Sequence, residues 1–139
     1  MPRFAGSLTL AGLAIATAAS VAATAAANAQ GVPSVTVFDQ AAAGNAIKVH
    51  YVNLPAKGYV AVHAAYGNGK PIAAPVGTAE LAAGDHRDVK ITLKEAPKPG
   101  QRMWISLHQD SDNKPGFDPA VDKAVWGQAL PEENAFTVR

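Results

Sequence analysis

Apolar and polar residues take turns through most of this chain, and that period of two is the feature that most limits its fold. Val35 and Val37 alternate with Ser34 and Thr36, and Ile47, Val49 and Tyr51 with Lys48, His50 and Val52. Val60, Val62 and Ala64 alternate with Tyr59, Ala61 and His63, and Val89, Ile91 and Leu93 with Lys90 and Thr92. Met103, Ile105 and Leu107 alternate with Arg102, Trp104, Ser106 and His108, and Phe136 and Val138 close the chain. Successive strand side chains point to opposite sheet faces, so each run can bury one face and leave the other polar. Turn chemistry separates the runs: Leu54-Pro55-Ala56-Lys57-Gly58, Tyr66–Pro71, Ala83-Gly84-Asp85 and Ala96–Gly100. Only Thr78–Ala83 suits a helical turn. Short strands at roughly ten-residue spacing predict an all-β fold, a single antiparallel β-sandwich of immunoglobulin-like type.

The pattern does not reach the N-terminus. Arg3 is the sole charge before an apolar run from Leu8 to Ala27, and Ala27-Asn28-Ala29 is a small-x-small site. A positive end, an apolar stretch and an A-x-A ending predict a signal peptide over 1–29, leaving a β-sandwich domain over 30–139. Alanine is weakly apolar, and Thr17, Ser20 and Thr24 interrupt the run, so it is poorly suited to remain as a membrane anchor. The expected location is the periplasm or the medium. The chain has no cysteine, so no disulfide braces the exported domain. Without Arg3, the 12 Lys and Arg come into balance with the 11 Asp and Glu. Nucleic acid is not an expected partner, because binding it requires a basic excess that releases counterions from phosphate.

One pairing follows from the pattern. A hairpin over Pro55–Gly58 sets Leu54 opposite Tyr59, Tyr51 opposite Val62, Val49 opposite Ala64, and His50 opposite His63. A slip by one residue would turn the apolar sets to opposite faces, so this register is the expected one. It makes His50 and His63 a cross-strand pair on the face away from the core.

The most chemically suggestive stretch is Leu107-His108-Gln109-Asp110-Ser111-Asp112-Asn113-Lys114-Pro115-Gly116-Phe117-Asp118. A helix-loop-helix calcium loop counted from Asp110 fails, with Lys114 at its fifth place, Pro115 at its sixth and Val121 at its twelfth. Two readings remain. Asp110, Asp112, Asp118 and Asp122 form an irregular calcium site with backbone carbonyls, or the aspartates cap the backbone of their own turn. The histidines pose the same choice. His63 and His108, with His50 if their strands share a sheet, suit zinc or copper through imidazole nitrogens, or are ordinary polar strand-end residues. The candidate metal set is therefore His63, His108, Asp110, Asp112 and Asp118.

Catalytic signals are thin. There is no G-x-S-x-G elbow, no cysteine nucleophile and no H-E-x-x-H; Gly67-Asn68-Gly69-Lys70 is followed by Pro71 where a phosphate loop needs Ser or Thr. Ser106 and Ser111 lie near His108 without an orienting triad. The chain reads as a non-enzymatic module needing no cofactor. Its partner is an unidentified protein, glycan or ion, and Trp104, Tyr59 and Trp126 are a candidate aromatic platform for sugars or peptides.

The order of several blocks also resembles a known family. These are Asp39-Gln40 after a Val-Thr-Val strand, Gly58-Tyr59-Val60-Ala61-Val62-His63, Val76-Gly77, Ala83-Gly84-Asp85-His86, Val89–Leu93, and Leu107–Asp110 with Asp112, Gly116-Phe117-Asp118 and Asp122 before a final Phe-Thr-Val strand. Across most of residues 33–139 they resemble a domain-of-unknown-function family, number 7282, of secreted and surface proteins. The resemblance implies a β-sandwich outside the cytoplasm, with no established activity. It also implies that His63, His108 and Asp110 act together. Lys114 departs from the pattern, standing where members carry a polar oxygen.

Overall fold

The computed structural model describes residues 32–125 and 133–139; the expected signal peptide and Trp126 lie outside them. Seven strands follow in order: β1 (Ser34–Thr36), β2 (Ala46–Leu54), β3 (Gly58–Ala64), β4 (Gly77–Leu81), β5 (Gly84–Thr92), β6 (Arg102–Gln109) and β7 (Glu133–Thr137). They form two sheets, β1-β2-β5 and β4-β3-β6-β7, and every strand pairing is antiparallel. In an immunoglobulin constant-type sandwich the fourth strand sits beside the fifth. Here β4 pairs with β3 instead, and the rest of the order is kept. Thr78–Ala83, which suits a helical turn on composition, lies largely within β4.

The core is the sum of the alternating sets. Ile47, Val49, Val52, Leu54 and Ile91 from the smaller sheet meet Val60, Val62, Met103, Ile105, Leu107 and Phe136 from the larger one, all buried. At about 1.5–3 kcal/mol for each fully buried aliphatic side chain, this layer is the main stabilising term.

The expected β2–β3 hairpin does not form. Pro55–Lys57 carries the chain from one sheet to the other, and β2 pairs with β1 and β5. Placed face to face, the two strands bury both apolar sets against each other, which a shared sheet would not do. His50 therefore lies on the smaller sheet, its ring 4.7 Å from Phe38, and does not meet His63.

The expected inward position of Tyr51 also fails. The inward set of β2 runs Ile47, Val49, then Val52 and Leu54, so the alternation skips at His50 and Tyr51. A buried phenol needs a hydrogen-bond partner, and Tyr51 finds one outside, donating to Asp85 Oδ1 at 2.6 Å. Opposite the skip, Asp88 on β5 adopts a left-handed φ of 51°, and the β2–β5 register holds on either side with Val49 against Val89 and Tyr51 against Arg87.

Two of the block residues explain how the chain ends are tied. Asp39 accepts the Thr137 N–H. Gln40 imitates a strand partner, donating to the Lys48 carbonyl and accepting the Lys48 N–H.

Candidate functional site

His63 and His108, singled out from the sequence, lie on the outer face of the larger sheet, and His50 does not. Register puts Tyr59 opposite His108, Ala61 opposite Ser106 and His63 opposite Trp104. Alternation sends Val60 and Val62 into the core, so these partners face the other way. That face is covered by two loops. The 65–72 turn is pinned by Trp104, whose indole N–H donates to the Gly69 carbonyl at 2.8 Å. The 110–124 loop is pinned by the Tyr59 hydroxyl, which donates to the Lys114 carbonyl at 3.1 Å, and by Phe117, which packs on Tyr59 and edge-on to His108. As a result β3 is buried on both faces, with Tyr59 only 2% exposed. Tyr59 and Trp104 thus do not make an exposed aromatic platform.

His63 and His108 do come together, through a residue that the alternation alone did not single out. His63 Nδ1 lies 2.9 Å from the Ile72 carbonyl and His108 Nδ1 lies 3.1 Å from the Asp122 carbonyl. Their Nε2 atoms lie 2.8 and 2.9 Å from one hydroxyl, that of Ser106. Burial pushes both imidazoles below the usual histidine pKa, and neither carbonyl partner restores it. The available signal for Ser106 was its place two residues before His108, on the same strand face; its distance from His63 depends on a β3–β6 register that the sequence leaves open.

The acidic loop is held by its own carboxylates. Asp110 Oδ1 accepts the Asn113 N–H at 2.7 Å, and Asp112 Oδ1 accepts the Lys114 N–H at 3.0 Å. Asp122, which is 2% exposed, accepts from Ser111 N at 3.0 Å and Asp118 N at 2.8 Å, closing the loop from inside. Asn113 and Gly116 supply the left-handed turns, with φ of 56° and 90°. Asp110, Asp112 and Asp122 each bring an oxygen within 4.8 Å of the others. Asp118 is not in this group; it caps Ala120 N instead. Beside the group a cation is already built in: Lys57 Nζ lies 3.2 Å from Asp110 Oδ2 and 2.8 Å from Glu80. Burial raises the Asp110 pKa, but Lys57 and the Asn113 and Asp112 amides outweigh it, leaving the carboxyl below its ordinary value.

A two-sheet antiparallel sandwich with one sheet roofed by an aspartate-ordered loop defines the class. The chain belongs to the DUF7282 family, a domain of unknown function, whose model matches residues 33–135. No curated protein and no solved structure gives a significant match.

Proposed function

We propose that this chain is an exported, non-enzymatic β-sandwich module of the cell envelope, with a structural or binding role and no resident metal. The observation that carries the reading is where the polar side chains spend their bonds. Asp110, Asp112, Asp118 and Asp122 each cap backbone N–H groups, and both imidazoles of the covered face are tied to backbone carbonyls. A catalytic group must reach a substrate, and a calcium ligand must turn its oxygens to the ion. Asp122 spends both carboxylate oxygens on its own chain, and the other three aspartates one each. The Lys57 ammonium supplies the positive charge that the carboxylates favour. Export rests on the N-terminal pattern of Arg3, the apolar run and the small-x-small site.

Intact mass and elemental analysis of the untagged protein, recovered from periplasm or medium without chelators, test both parts. The expected result is the mass of residues 30–139 with no stoichiometric calcium, zinc or copper. One equivalent of any of these ions would overturn the metal-free reading, and an unprocessed chain confined to the cytoplasm would overturn export.

A further inference from the structure

The hydrogen-bond inventory of His63, Ser106 and His108 does not close. A carbonyl oxygen only accepts, so both Nδ1 atoms carry their hydrogen and donate, to Ile72 O and Asp122 O. A neutral imidazole has one N–H, so both Nε2 atoms present lone pairs. Both lone pairs meet Ser106 Oγ, at 2.8 and 2.9 Å, and that hydroxyl has a single hydrogen. One of the two contacts therefore sets lone pair against lone pair. His63 is 7% exposed, which leaves little room for water to mend it.

We propose that His63, Ser106 and His108 form a binding site for one proton, shared by the two imidazoles through the serine hydroxyl, where the 65–72 and 110–124 loops meet the sheet beneath. With one proton added, either imidazolium donates Nε2–H to Ser106 Oγ, and Ser106 donates to the other, neutral Nε2. Every donor then has an acceptor, from the Ile72 carbonyl at one end to the Asp122 carbonyl at the other. A second proton reverses the gain: both Nε2–H groups point at Oγ, the hydroxyl hydrogen loses its acceptor, and two cations face each other with ring centroids 6.5 Å apart. The site takes one proton from solvent and refuses the next.

The surrounding charges favour a single positive charge. Glu133 on β7 stands opposite Ser106, and the Asp122 carboxylate lies in the loop against His108. Asp110, two residues beyond His108, is matched by Lys57, which Glu80 of β4 also holds. Lys70 in the 65–72 turn is exposed. Burial opposes charge on both rings, so the two protonation steps lie below the usual histidine range and are split apart.

Long-range proton–nitrogen NMR of the histidine side chains in the 15N-labelled protein, followed through acid titration, is the test. At high pH both rings are expected as Nδ1–H tautomers. On acidification the His63 and His108 Nε2 signals move together at one apparent pKa, each through about half of the full imidazolium shift. In Ser106→Ala the two rings titrate separately, each through its full range. An Nε2–H tautomer on either ring at high pH would overturn the proposal without recourse to any variant, because the inventory would then already close. Independent full titration of both rings in the unsubstituted protein would also overturn it.

Discussion

Single residues carry much of the evidence, and Gly58 is the most exacting of them. A Cβ built there falls on the His108 carbonyl oxygen, a backbone atom that cannot swing aside. Gly58→Ala is expected to destabilise the fold by about 2–3 kcal/mol, the cost of an overpacked interior, read as a lowered urea midpoint at unchanged slope. The two covered histidines set a pH dependence whose sign follows from their lowered pKa values. Unfolded, they bind protons near the ordinary value of 6.5; folded, they bind them only at lower pH. The unfolded state therefore takes up protons first as pH falls, so their contribution is intact above about 6.5 and is lost on acidification. Urea midpoints measured from pH 7.5 to 5 are expected to fall, and His63→Gln with His108→Gln is expected to flatten the slope. At this scale the sequence was partly legible. His63 and His108 meet at Ser106, and of the four aspartates named together Asp110, Asp112 and Asp122 converge while Asp118 does not. Which aspartate turns inward depends on the loop's path, and residue type does not record it.

Among the elements, β3 and β6 were legible because their alternation runs unbroken from Gly58 to Ala64 and from Arg102 to Gln109. The partner of β2 was not. Period-two alternation tells which face a strand buries but not which strand lies beside it, and the Pro55–Lys57 turn serves a crossing between sheets as readily as a hairpin. Tyr51 shows the other limit: it reads as apolar until its hydroxyl finds Asp85, and the inward set then shifts by one residue. The 110–124 loop is a unit of its own, held from within by Asp122. Asp122→Ala removes the acceptor for Ser111 N and Asp118 N in a nearly dry position. The expected cost is about 1–3 kcal/mol, with faster amide exchange concentrated in residues 111–118. Added calcium is expected to leave the melting temperature of the unsubstituted protein unchanged; a rise that grows with calcium would show the loop binding the ion.

Across the whole molecule, the class was readable from the chain because short alternating runs in a domain of this length have few other ways to bury their apolar faces. The roof over the outer sheet was not readable. Its loops carry the same Asp, Asn, Pro and Gly residues as any exposed turn, and only the packed structure shows Phe117 and Tyr59 closing over His108. That roof orders events in time. Its anchors on the sheet are side chains of β3 and β6, so neither loop has anything to close upon until those strands have paired. The loops are therefore expected to arrive last and leave first, as a small cooperative unit above the sandwich. Mild acid is thus expected to open amides of 111–118 to exchange while those of Val60 and Ile105 remain protected. Simultaneous loss of both would mean that roof and sandwich fold as one.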